Sequence, residues 1–208
     1  MTKIFLWEIP AKPGALFQHT KNLRLDDLKK LDSISDSQRR LEFTASRFLL
    51  KHIPFRPYTS LSHCLPLIAI ASSNSPVGID IENTQAPRNF TKLLQSRYFS
   101  EQEKSLYTTP LLFYKAWTLK EAYAKFTQRG LSAELSQLTF DFSQNKVTQW
   151  PHRRDSLRPT FRQYFLSPFV ISLCHHEEKN SSPALYQASL QDKKLSFSFL
   201  KREGVTIT

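Results

Sequence analysis

Leu65-Pro66-Leu67-Ile68-Ala69-Ile70-Ala71 leads through Ser72-Ser73-Asn74-Ser75-Pro76 into Val77-Gly78-Ile79-Asp80-Ile81-Glu82, and this stretch decides the fold. A short apolar run ended by a polar, proline-closed turn predicts a buried strand over Leu65 to Ala71. The next six residues alternate, so a second strand places Ile79 and Ile81 toward a core and Asp80 and Glu82 together on the other face. The brevity of the link predicts that the two strands form a hairpin.

Working outward, Ile4 to Ile9 reads as a strand bounded by Pro10 and Pro13. From Leu23 to His52 the pattern is helical: Leu41, Ala45, Phe48 and Leu49 recur at spacings of three and four, with Arg39, Arg40, Arg47 and Lys51 on other faces. Pro54 and Pro57 close that helix. Ser100-Glu101-Gln102-Glu103 fits a capping box, and a further helix runs from Leu111 to Gln128, stopped by Gly130. Strands are predicted for Leu138 to Phe142, Thr160 to Phe165 and Phe169 to Cys174, then a loop over 175–183. The remainder, with Leu195 to Phe199, reads as one or two late strands or a partly ordered tail. The two halves share an order of helix followed by paired strands, which is an α+β pattern of two similar lobes.

The chain has 208 residues, 40% of them hydrophobic and 23% charged, enough for a sizeable core. Cys64 and Cys174 are too few for a disulfide scaffold or a four-thiolate zinc site, and suit a reducing cytoplasm. The longest apolar run is far short of the roughly 20 residues of a membrane span. Met1-Thr2-Lys3 followed by Ile4-Phe5-Leu6-Trp7 is too brief for a signal peptide. The formal net charge of +11 favours polyanionic partners, with the smallest excess in residues 61–140.

Asp80 and Glu82 repel unless a cation sits between them, and a hard divalent ion such as Mg2+ suits the pair. Read alone, the pattern fits a strand end with two surface acids better than a metal site. Trp117, Glu121 and Lys125 fall at i, i+4 and i+8 on one helical stripe, with Lys120 about 100° away from Glu121 and able to reach the same rim. A carboxylate beside two lysines matches a metal-bound diphosphate; the bland alternative is a solvated helix with a Glu121–Lys125 pair. Ser62-His63-Cys64 places a histidine at a strand edge, as an anion contact or a structural residue. No nucleophile elbow, H-E-x-x-H or glycine-rich phosphate cradle occurs, and His175-His176-Glu177-Glu178 reads as loop.

In this order and spacing, Ser62-His63, Val77 to Glu82 and Trp117 to Lys125 resemble the larger, single-chain class of 4'-phosphopantetheinyl transferases. The resemblance covers residues 35 to 175 and includes Tyr98-Phe99-Ser100 with Glu103 and the closing Gly130-Leu131. It implies two α+β lobes in pseudo-twofold relation with the active site between them. It also implies a holo-[acyl-carrier-protein] synthase activity: the phosphopantetheine arm passes from coenzyme A to a serine of an acidic apo carrier protein, releasing 3',5'-ADP. Carried over residue by residue, Asp80, Glu82 and Glu121 hold Mg2+. On the same resemblance Glu121 would be the base, directly or through a water, and Lys125 and Lys120 would neutralise the diphosphate. His63 with Ser62 would contact the CoA 3'-phosphate, and Arg47 would serve the nucleotide end. The family's G-K-P segment is absent; Phe55-Arg56-Pro57 stands nearest, with Arg56 in place of the lysine.

The expected division is a first lobe over 1–76, a second with the metal site over 77–178, and a tail over 179–208, in a cytoplasmic monomer. Two other functions fit parts of the sequence. Trp150, His152, Arg153, Arg154, Arg158, Phe161, Arg162 and Tyr164 mix basic and aromatic residues as single-strand nucleic-acid binders do, but a solvated hairpin with its apolar residues in the core is the preferred reading. A catalytically silent relative acting as a binding protein is disfavoured by the three acids.

Overall fold

The computed structural model describes residues 1–10, 23–86, 89–151, 158–176, 182–191, 194–201 and 204–208. Its first sheet orders the strands β10-β9-β1-β3-β2. These are β1 (Lys3–Glu8), β2 (Tyr58–Cys64), β3 (Leu67–Ser73), β9 (Ala184–Gln191) and β10 (Lys194–Phe199). The second sheet, β11-β7-β8-β4, comprises β4 (Val77–Asn83), β7 (Thr160–Leu166), β8 (Phe169–His175) and β11 (Val205–Ile207). A two-stranded ribbon joins β5 (Thr139–Asp141) to β6 (Lys146–Gln149).

Alternation in the strands builds the layers. Ile4, Leu6, Leu67, Ala69 and Ala71 of the first sheet meet Val77, Ile79, Ile81, Ile171 and Leu173 of the second in one buried cluster. The opposite face of the first sheet, with Trp7, Ile68 and Ile70, is covered by Ala45, Phe48 and Leu49 of helix α2 (Ser37–His52). The opposite face of the second is covered by helix α5 (Pro110–Thr127). The order is helix, sheet, sheet, helix, an α+β architecture as the sequence predicts. Among the described residues no helix is long and apolar enough to cross a membrane.

Three expectations are corrected. β3 and β4 are not a hairpin: β3 lies between β1 and β2, which occupy both its edges, and β4 pairs with β8 instead. The link Asn74-Ser75-Pro76 contains no residue at positive φ, so it lacks tight-hairpin turn geometry and carries the chain from one layer to the other. The helix expected over 23–52 is two, α1 (Leu25–Asp32) and α2. Ser33 caps the first through its backbone N–H, and Asp36 Oδ1 accepts from Arg39 N at 2.7 Å to start the second. The segment expected as a tail is built into both sheets: β9 runs parallel to β1, β10 pairs with β9, and β11 with β7.

α5 lies close on β4 because Gly78 leaves room. A Cβ there would press on the Ala122 carbonyl oxygen and stand 2.6 Å from Phe126 N, both helix backbone. The helix starts at a Thr109 cap with Pro110 in its first turn and ends at Gln128 in the left-handed region (φ 57°), two residues before Gly130 (φ 67°).

Lys120 does not reach a pocket rim. Its side chain is fully buried, its amine 2.9 Å from Glu103 Oε1 and donating to the carbonyl oxygens of Leu135 and Leu138 at 2.5 Å each. Glu103 also completes the predicted capping box of helix α4 (Glu101–Leu106), which follows the short helix α3 (Phe90–Leu94), accepting from Ser100 N at 2.9 Å. Burial pushes the Lys120 amine down to about 8 against the pull of Glu103, and burial raises the Glu103 carboxyl despite Lys120. With all three ammonium donors committed, Lys120 joins α5 to α4 and to the segment before β5.

Lys120→Met is expected to destabilise the fold by about 3–5 kcal/mol in denaturant unfolding, because Glu103 stays buried without its cation. Adding Glu103→Gln, which keeps the cap, should recover part of that loss. Gly78→Ala should cost about 1–3 kcal/mol by forcing α5 off β4; unchanged stability would show that the helix has room to move.

Candidate active site at the seam between the two sheets

β2 and β4 lie edge to edge where the sheets meet, joined by side chains rather than by a backbone ladder. Ser60 Oγ accepts from Ile79 N at 3.0 Å, and Ser62 Oγ accepts from Ile81 N at 3.4 Å. Ser62 Oγ in turn donates to Asp80 Oδ1 at 2.7 Å. Cys64, next in the same alternation, places its Sγ 4.0 Å from Glu82 Oε2. Edge N–H groups of β4 that would otherwise be buried unpaired are thereby satisfied.

α5 supplies the cation. Lys125 Nζ stands 2.8 Å from Asp80 Oδ1 and 3.0 Å from the Ile79 carbonyl oxygen. Trp117, two turns earlier, is packed among Phe99, Phe113 and Tyr98, which fixes the helix roll. Glu121 lies between them on the same stripe and is half-buried.

Asp80 and Glu82 are both buried, yet among the described residues Asp80 Oδ2 has no hydrogen-bond partner. An ionised oxygen left bare at 3% residue exposure is costly unless a cation approaches it. Mg2+ is commonly held by one or two carboxylates, with water and substrate phosphates completing its shell. The Asp80–Glu82 pair fits that demand. The three acids are not gathered into one cluster: among the described residues no group of three His, Cys, Asp or Glu side chains is close enough to hold a metal.

His63 alternates away from Ser62 toward α2. With Arg39, Glu42 and Arg47 it lines a cavity of about 390 Å³, and with Arg39, Glu42 and Cys64 an adjoining one of about 560 Å³. Arg47 Nε is 2.9 Å from Asp27 Oδ1 of α1, and its guanidinium lies 4.8 Å from the Phe43 ring centre. The structure therefore brings Arg47 and His63 together, and Asp80, Ser62 and Lys125 together. Ser62 is turned from His63, its hydroxyl committed at the seam. Arg56 NH1 donates to Asn74 Oδ1 at 3.1 Å and lines neither cavity.

Sequence reasoning missed Arg39 and Glu42 as cavity residues, although Arg39, Phe43 and Arg47 share the four-residue spacing of one helix face. Of the basic aromatic stretch, Phe161 and Tyr164 are buried and offer no stacking face, and Arg158 lies 5.6 Å from the Trp150 ring centre. His152, Arg153 and Arg154 of that stretch, and Glu177 and Glu178, lie outside the described residues.

Comparisons agree with the motifs. The 4'-phosphopantetheinyl transferase psf-1 of Bacillus pumilus is 33% identical over 92 residues, covering 41% of this chain and 38% of that protein. The 4'-phosphopantetheinyl transferase gsp of Aneurinibacillus migulanus is 23% identical over 128 residues, covering 59% of this chain and 53% of that protein. The chain thus spans about half or less of the length of these relatives. The family profile of the 4'-phosphopantetheinyl transferase superfamily matches residues 76–192, more than half of the sequence and the whole of β4, α5 and β8. The chain belongs to the 4'-phosphopantetheinyl transferase superfamily.

Proposed function

We propose that this protein transfers the 4'-phosphopantetheine arm of coenzyme A to a serine of an acidic apo carrier protein, releasing 3',5'-ADP with Mg2+ as cofactor. The observation that carries the reading is Asp80: one oxygen is fixed by Ser62 and Lys125, while the other is buried and bare beside Glu82. Family membership supplies the reaction class, and the two sheet-and-helix layers are taken as the two lobes of the larger single-chain class.

Asp80 and Glu82 are the residues that would hold Mg2+, and the ion, when bound, supplies the positive charge that a diphosphate requires. Lys125 would offset charge growing toward the leaving side as the serine oxygen–phosphorus bond forms and the bond to 3',5'-ADP breaks. Glu121 takes the serine proton, directly or through a water; as the third acid expected for the metal, it joins Asp80 and Glu82 only if ligand draws it in. Arg47 and His63 receive the nucleotide end, His63 at the 3'-phosphate. Lys120 has no part in the chemistry, because its donors are spent inside the fold. The net charge of +11 favours encounter with an acidic carrier. The reading carries with it a cytoplasmic, monomeric enzyme.

Apo carrier proteins of fatty-acid, polyketide and nonribosomal-peptide synthesis, incubated with the protein, CoA and Mg2+, should show by intact mass the gain of one phosphopantetheine on at least one carrier. EDTA should abolish the gain. Asp80→Asn and Glu121→Gln should each lower turnover by roughly a hundredfold or more while leaving the circular dichroism spectrum unchanged. Wild-type turnover in Asp80→Asn, or no modified carrier in the whole panel, contradicts the assignment.

A further inference from the structure

His63 leaves β2 toward α2, and its Nδ1 stands 3.3 Å from Glu42 Oε2. Gln38 Nε2 donates to the other oxygen of Glu42, also at 3.3 Å. The Glu42 side chain is 12% exposed and the imidazole 40%, so the carboxylate lies behind the ring and the rest of the ring opens to the cavity. An ionised carboxylate only accepts hydrogen bonds, so in this contact the hydrogen is on Nδ1. Nε2 then presents a lone pair when the ring is neutral and an N–H only when it is protonated.

Phosphate oxygens likewise only accept. A dianionic phosphomonoester, the dominant form above about pH 6, can therefore be held at Nε2 only by the protonated ring. The charges facing His63 fit such an exchange. Arg39 of α2 lines both cavities beside it, and Asp36 at the α2 cap lines one of them. Arg47 is matched by Asp27 of α1, and Asn83 beyond the seam is neutral. Glu42 thus offsets cationic charge in the empty cavity, and proton and phosphate arrive together.

We propose that Glu42 is a positioning residue for nucleotide recognition: by holding the Nδ1 hydrogen of His63 it makes capture of a 3'-phosphomonoester proton-coupled. It thereby selects nucleotides that carry a 3'-phosphate over those that lack one. The proposal rests on the reading of the Arg47–His63 cavity as the nucleotide end.

Isothermal titration of the full chain at pH 8 with adenosine 3',5'-bisphosphate and with 5'-AMP, in buffers of different ionisation enthalpy, tests it. The wild type should prefer the bisphosphate by roughly tenfold or more and take up close to one proton on binding it. Glu42→Gln, whose amide can donate to Nδ1 and leave Nε2–H on a neutral ring, should lose the proton uptake and, with it, the charge-assisted part of the preference. With His63→Gln already present, Glu42→Gln should add nothing, whereas a general structural defect would still weaken binding. Retained proton uptake and preference in Glu42→Gln, or an equal loss with and without His63, overturns the role of Glu42 alone. A wild type that does not distinguish the two nucleotides overturns the proposal together with the cavity assignment beneath it.

Discussion

The hydrogen bond from Ser62 to Asp80 is where the two halves of the molecule meet. β2 and β4 approach edge to edge, yet no backbone ladder joins them; the serine hydroxyls of β2 accept the Ile79 and Ile81 N–H groups instead. A buried N–H left unpaired costs about 1–3 kcal/mol, so small hydroxyl side chains at 60 and 62 are what allow the sheets to close without penalty. Lys125 from α5 satisfies the Ile79 carbonyl oxygen at the same edge. The seam holds the layers together and at the same time aims the Asp80 carboxylate. Everything proposed for the chemistry depends on that double use.

Charge pairing follows one pattern around the seam. Lys125 faces Asp80, His63 faces Glu42, and Arg47 faces Asp27. Lys125 and Arg47, the standing cations assigned to an anionic substrate, each already have a carboxylate from this chain, which removes the cost of partly burying bare charge, and Glu42 offers the same to His63 once the ring is protonated. The bare oxygen of Asp80 breaks the pattern. It is the one place in these pairs where a further cation is called for, and it lies next to Glu82.

Local signals in the sequence were readable where the physics is local. The alternation of Val77 to Glu82 gives the face on which Asp80 and Glu82 stand, and Ser100 with Glu103 gives the start of α4. The pairing of β3 with β1 and β2, and of β4 with β8, was not readable, because two apolar strands with a short polar link look alike whether they pair or cross between layers. Lys120 misled for a related reason. Its angle on the helix is compatible with either side of the rim, and its burial depends on Glu103, a residue whose capping role alone already explained its presence. The Ser60, Ser62, Cys64 alternation was visible in the sequence. Its meaning required knowing that β4 lies alongside.

The most direct measurement is divalent-cation binding at Asp80. Titration of Mn2+, a hard-ligand stand-in for Mg2+, into the protein with and without CoA can be followed by loss of the free-ion electron paramagnetic resonance signal. A buried oxygen waiting for a cation and a bound diphosphate predicts one Mn2+ per chain, held more tightly with CoA and lost in Asp80→Asn. Equal Mn2+ binding in wild type and Asp80→Asn would contradict the metal site on which the proposed transfer rests.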